Sequence, residues 1–288
     1  MIESADMLIL AVASPSTAQI SMLLGIGLLA GLLGGLLGIG GGLVMIPAMT
    51  LLFGDALYGI NSFHLFKLAA LTTAILLSIP AVVRHAQAGA IVRPMLVGMI
   101  LFGLVGVLGG TAIARVLAHE YTIVLKRTFG AFMLMSVAAS LMKRKSGAGG
   151  EHGADRCPIS TRWGKIGTIV GFPSGIVAGL LGVGGGVWAV PSQNYILGIR
   201  LQNAIANSAC MIIGLSIGSS LMHCVYIHSL HDAQAPVLQG LWLALWLSPG
   251  AVVGGWFGAK MTHTLPVTWI RGVFQFVLTV TGLRLLFG

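Results

Sequence analysis

The chain has 288 residues, 56% of them hydrophobic and only 8% charged, with a mean hydropathy of +0.96. Soluble domains carry about 25% charged residues, so a water-soluble fold is excluded and a polytopic membrane protein is expected. The net charge of +9 is not a nucleic-acid signal, because the basic residues sit mostly between apolar runs, where cytoplasmic loops collect them.

Residues 1–19 form an N-terminal segment that carries Glu3 and Asp6 but no Lys or Arg. The basic start of a cleavable signal peptide is therefore missing. Apolar segments follow at about 20–37, 43–54, 65–83, 95–117, 122–142, 164–181, 187–198, 203–225, 236–258 and 266–287. They lack the alternation of barrel strands, so the spans are read as helices. Pro94, Pro236 and Pro266 mark helix starts. The 42 glycines suit close helix approach in a membrane.

The stretch 143–162 breaks the pattern, with Lys143-Arg144-Lys145, a Ser-Gly-Ala-Gly-Gly run, Glu151, Asp155, Arg156 and Pro158. It reads as a basic, flexible, cytoplasmic linker between a first transmembrane repeat, 20–142, and a second, 163–288. Cys157, Cys210 and Cys224 form neither a metal-ligand spacing nor a disulfide framework. No catalytic residue, metal or cofactor is expected.

The halves repeat one another. Gly34-Gly35-Leu36-Leu37-Gly38-Ile39-Gly40-Gly41-Gly42 runs on to Pro47, and Ala178-Gly179-Leu180-Leu181-Gly182-Val183-Gly184-Gly185-Gly186 runs on to Pro191. The offset is 144 residues, half the chain. At that offset Gly106 matches Gly250, Gly110 matches Gly254, His119 matches His263, Arg127 matches Arg271 and Phe132 matches Phe276. The middle slips: Ala70-Leu71-Thr72-Thr73 faces Ala206-Asn207-Ser208-Ala209 at an offset of 136.

Each glycine motif lies within about 35 apolar residues, roughly 52 Å as one helix, against a hydrocarbon core of ~30 Å. The stretch must break. With each motif read as a hairpin, Lys and Arg divide eleven to five between the two sides, against nine to seven for a single span. Two full crossings give the same parity. The expected fold is thus an all-α polytopic membrane helix bundle of two inverted repeats, each a glycine-broken helix or helical hairpin plus three spans. Both termini fall outside.

Irregular backbone is tolerated at membrane depth only where protein or a wet cavity surrounds it. A helix starting just after each cluster, at Leu43 or Val187, presents unpaired N–H groups and a positive dipole end. Such an end favours an anion. The alternative is that the glycines only permit tight helix crossing; their duplication in broken segments at matching places favours a binding site. A nucleotide loop is excluded by the missing strand and the missing Gly-Lys-Ser/Thr.

These pieces, Gly38–Pro47 with Leu52-Phe53-Gly54 and Gly182–Pro191 with Leu197-Gly198, resemble the sulfite exporter TauE/SafE family, also called the toluene sulfonate uptake permease family. The small-polar segments Ala69–Thr73 and Ala204–Ser208 add to the resemblance, with Asn207 matching the asparagine of the family's Ala-Thr-Asn type of sequence. It covers about residues 20–287. It implies a transporter of sulfite, organosulfonates or related oxyanions, with export the commoner direction, in a bacterial inner membrane.

The candidate substrate-binding residues are Gly40, Gly41, Gly42, Thr72, Thr73, Gly184, Gly185, Gly186, Gln193, Asn203, Asn207, Ser208 and Cys210. Ser192 and Asn194 are further polar groups beside the second break. Hydroxyls and amides donate to oxyanion oxygens, and helix–helix bonding is their competing use. Lys67 and Arg84 read as anchors near the two ends of one span. His228-x-x-His231 with Asp232 is an interfacial loop or a metal site. The expected partners are a small anionic substrate and the lipid bilayer, with no nucleic acid; a homo-oligomer is compatible with the sequence. An anion channel on the same repeats, a membrane-embedded enzyme and a non-transporting scaffold are the competing classes. The enzyme lacks a nucleophile–base motif, and the scaffold leaves the paired breaks without a purpose.

Overall fold

The computed structural model describes residues 16–53, 62–118, 163–229 and 234–287, with scattered positions between 127 and 138. The linker 143–162, most of the segment 122–142 and the side chains of the His228–Asp232 cluster lie outside the described residues.

Helix α1, Thr17–Leu37, starts with a capping box: the Gln19 N–H donates to Ser16 Oγ at 3.3 Å and the Ser16 N–H donates to Gln19 Oε1 at 3.0 Å. It stops at Gly38, whose φ of 67° is left-handed. Helix α2, Gly42–Leu52, begins on the last glycine of the cluster, one residue before the Leu43 start read from the sequence. Helices α3, Ser62–Gln87, and α4, Arg93–Ala118, complete the described part of the first half. The second half repeats the order. Helix α5, Gly164–Leu181, carries a π turn over Gly167–Gly171 and stops at left-handed Gly182. Helix α6, Gly186–Pro191, continues as a π turn over Ser192–Ile196. Then come α7, Leu201–Ser229, α8, Gln234–Thr264, and α9, Val267–Phe287.

Among the described residues six helices, α1, α3, α4, α5, α7 and α8, are long and apolar enough to cross a membrane. Their outward faces carry Leu101, Val105 and Leu108 on α4 and Leu238, Leu245 and Phe257 on α8. Such a belt matches hydrocarbon surroundings rather than water.

Packing exchanges the halves. The first helix of each half lies on the fourth helix of the other, α1 on α8 and α5 on α4, while α3 and α7 meet between them. Small residues permit this. Gly27 and Gly31 press on the backbone of Leu247 and Ala251, and Gly175 and Gly179 press on Gly103 and Val107. A β-carbon at any of these glycines would strike main-chain atoms of the neighbouring helix, so backbone-to-backbone dispersion replaces side-chain interlocking.

The third helices keep a different register from the one read in the sequence. Beside Gly41 stand the Ala30 carbonyl and Leu77; beside Gly185 stand the Ser174 carbonyl and Leu215. Ala30 and Ser174 are 144 residues apart, whereas Leu77 and Leu215 are 138 apart. On this contact register Asn207 corresponds to Ala69 and not to Leu71, and Thr73 corresponds to Met211. The short polar motifs match in composition but not in what they touch, so the 136-residue offset does not describe the contacts of the third helices.

Candidate functional site

The two glycine clusters break their helices in the same way. Gly38, Gly40 and Gly41 have φ of 67°, 82° and 71°; Gly182, Gly184 and Gly185 have 75°, 74° and 79°. Three left-handed residues in four positions are accessible at low cost only to glycine, which explains the motif directly. The first αL glycine ends one helix, its N–H donating to Gly34 O or Ala178 O at 2.9 Å, and the last caps the next.

The breaks meet. A β-carbon on Gly42 would lie 3.0 Å from the Gly182 carbonyl oxygen, and one on Gly40 would lie 3.3 Å from the Val183 oxygen. Gly186 in turn sits against Gly38 and Ile39. Ile212 of α7 packs on both Gly40 and Gly184. Every residue from Gly34 to Leu43 and from Leu181 to Val187 is buried. At the first break the N–H groups of Gly42, Val44 and Met45 turn back on the carbonyls of Gly40 and Gly41, and at the second those of Trp188 and Ala189 turn back on Gly185. The amides of Gly40, Gly41 and Leu43 bond to no other described residue, nor do those of Gly184 and Gly185. Buried N–H groups of this kind are costly without a partner, and they occur at both of the breaks that meet here.

Around the breaks the orphan carbonyls are satisfied by side chains of different character. Ser208 Oγ donates to Gly38 O at 2.7 Å, and Thr262 Oγ1 donates to Leu36 O at 2.9 Å. At the second break Lys67 Nζ donates to Leu180 O at 2.7 Å. Lys67 is 1% exposed, and its stem lies against Gly182, with a β-carbon there 3.0 Å from Lys67 Cγ. Lys67 is therefore no surface anchor: the structure inserts it into the bundle beside the second break. Its counterpart at the first break is Ile205, which packs on Gly38. The sequence signal that could have found it is the 138-residue register, which sets a lysine opposite an isoleucine.

The remaining candidates separate into groups. Asn207 is fully buried and bonded: its Oδ1 accepts from the Val92 N–H at 2.8 Å and its Nδ2 donates to Gln193 Oε1 at 3.0 Å. Gln193 Nε2 donates in turn to Ala189 O at 3.1 Å. These two amides tie α6, α7 and the turn before α4 together. Asn207→Ala leaves the Val92 N–H and Gln193 Oε1 unpaired, at about 1–3 kcal/mol each. A clear drop in the melting temperature of the purified protein is expected; an unchanged melting temperature would show that the network carries no stability.

Thr73 is buried, and its hydroxyl has no hydrogen-bond partner among the described residues. Thr72, Asn203 and Cys210 are half-buried and make no hydrogen bond to either break. Ser192 and Asn194 are spent locally, on the Trp188 and Ile199 carbonyls at 2.7 and 2.8 Å. A depression lined by Leu37, Pro191, Asn194, Tyr195, Ile205 and Ile270 approaches the first break from one side.

The model of the sulfite exporter TauE/SafE family matches residues 23–285. The probable membrane transporter protein MamO of Magnetospirillum gryphiswaldense is 29% identical over 93% of this chain. This chain spans about half of that relative's length, 45%. The probable membrane transporter proteins MJ0441 of Methanocaldococcus jannaschii and YunE of Bacillus subtilis are 26% and 25% identical, over 92% and 91% of this chain and 94% and 95% of their own. No solved structure matches the chain.

Proposed function

The chain belongs to the sulfite exporter TauE/SafE family of membrane transporters, and from that premise we propose that it carries small sulfur-containing oxyanions, sulfite or organosulfonates, outward across a bacterial inner membrane. The single observation that carries this reading is the meeting of the two breaks, each with bare buried amides and the same left-handed glycines. Amides of Gly40, Gly41, Gly184 and Gly185 would donate to the oxyanion, as interrupted helices do in carriers, while Gly42, whose N–H is spent on the Gly40 carbonyl, and Gly186 would leave room beside it. Lys67, whose Nζ donates to Leu180 O, would bring its ammonium group to the side of the second break. Ser208, Thr73, Thr72, Asn203, Gln193, Asn207 and Cys210 would shape the space around them.

We further propose that the halves are inverted repeats that rock about this point, with the linker 143–162 in the cytoplasm. The exchange of packing partners, α1 with α8 and α5 with α4, supports two equivalent halves. The burial of both breaks supports alternating access over an open pore, since a channel needs a continuous path and a carrier passes through a closed state.

The test is a binding and flux screen. Purified protein in proteoliposomes should take up at least one of sulfite, thiosulfate, sulfate, sulfoacetate or taurine, with saturation and with competition among them. Absence of binding and of flux for all five would overturn the oxyanion reading; flux that never saturates would favour the channel.

A further inference from the structure

A second polar cluster lies one turn from the first break, on α3 and α8. His85 Nδ1 and His263 Nε2 are 2.9 Å apart, with ring centroids at 5.1 Å and an interplanar angle of 72°. His85 is wholly buried, and its Nε2, directed at the Gly35 backbone of α1, completes no hydrogen bond of good geometry. His263 is half-exposed. The next residue back on α8, Thr262, holds the Leu36 carbonyl, so the pair is joined to the last turn of α1 before Gly38.

Among the described residues, the histidines are the proton acceptors there. Among the described residues the charged groups near the pair are Arg84 on α3, whose guanidinium lies 4.5 Å from the centre of the Trp256 ring, and Lys260 on α8, exposed and one turn before His263. The last turn of α1 carries no charged residue, and α7 contributes neutral Gln202, bonded to Thr262 O. All seven carboxylates, Glu3, Asp6, Asp55, Glu120, Glu151, Asp155 and Asp232, fall outside the described residues. A neutral imidazole carries one donor and one acceptor nitrogen, so the pair can take up a proton, whereas lysine and arginine side chains offer donors alone.

We infer that the His85–His263 pair is a proton-binding site that moves a proton together with the transported anion. The inference rests on the oxyanion-transport reading above. Two neutral imidazoles at 2.9 Å share one N–H, one ring donating and the other accepting. An added proton enters at the half-exposed His263 ring. His263 Nε2–H then donates to His85 Nδ1, and His85 Nε2–H points at the Gly35 carbonyl. A second proton would put a donor on both sides of the 2.9 Å contact, so the pair takes one. That charge lies at the C-terminal end of α1, where the helix dipole favours a cation, and about 4.5 Å along the axis from Gly38. An anion at the breaks attracts it through a poorly screened interior. Coupling between bound species is reciprocal, so each raises the affinity for the other and both move in one direction.

The repeat supports a coupling role. Histidine recurs at both matching positions of the other half, His223 at the 138-residue register from His85 and His119 at 144 from His263. His223 is buried on α7 with its Nδ1 3.1 Å from Ser219 O; His119 lies outside the described residues.

The test uses the full chain in vesicles containing a trapped pH dye, with the membrane potential clamped, and an inward gradient of radiolabelled thiosulfate or sulfoacetate, neither of which titrates near neutral pH. Wild-type protein should acidify the lumen as the anion enters, one proton with each anion. H85Q and H263Q should still admit anion, with the proton signal lost and the response to an imposed pH gradient lost. Entry of anion without acidification in the wild type overturns the inference, as does acidification that still tracks flux in H263Q, a half-exposed position that decides alone should H85Q fail to assemble. If wild-type vesicles admit no anion, the transport reading itself fails, and the inference falls with it.

Discussion

Gly185→Ala should abolish transport, while Gly89→Ala should leave it at the wild-type rate. Both residues have positive φ, 79° and 65°, so both substitutions incur the left-handed strain of about 1–2 kcal/mol. They differ in what the new methyl group meets. At Gly89 nothing lies within 4 Å, whereas at Gly185 the methyl runs into the Ser174 carbonyl and comes within 3.1 Å of Leu215 Cδ1. Overpacking of this kind costs about 1–3 kcal/mol more, and here it must shift the second break against α5 and α7. Flux should fall to the background of protein-free vesicles and the melting temperature should drop well beyond that of Gly89→Ala. Equal behaviour of the two variants would show that the close fit of the breaks has no bearing on transport.

Lys67→Met should weaken anion binding about ten- to a hundredfold, the equivalent of the roughly 1.5–3 kcal/mol of a charged hydrogen bond. Methionine fills much of the same space, so the bundle loses a charge and the donor to Leu180 O but little packing. The lost donor costs about 1–3 kcal/mol of stability. Arg93→Met removes an exposed charge and should change affinity little. The contrast is sharpest at high salt, where surface charges are screened and buried ones are not. Titration of radiolabelled substrate against both variants at low and high salt provides the check; identical affinities for Lys67→Met and wild type would remove the lysine from the site.

Much of the architecture was legible because membrane helices announce themselves by length and hydropathy. The edges of α3 and α4 fall within a few residues of the apolar segments 65–83 and 95–117, and the stops at Gly38 and Gly182 follow from the inability of other residues to turn left-handed there. The linker and the domain limits rest on composition in a region outside the described residues. The role of Asn207 was less legible. Its position after a break reads as ligand-facing, but a buried amide must satisfy all its groups, and the Val92 N–H and Gln193 were not adjacent in sequence. Lys67 was missed for a related reason. Hydropathy treats a lysine at a helix end as a snorkelling anchor, and only the approach of α5 to α3 shows that this end is inside the bundle.

Hydrogen–deuterium exchange of the two glycine segments, with and without saturating substrate from the flux screen, reads the bare amides themselves. Exchange at residues 39–43 and 183–187 should slow together when the anion binds, with the loop at Gly89 unchanged. Protection confined to other segments, or no protection at either break under saturation, would contradict an anion held between two interrupted helices.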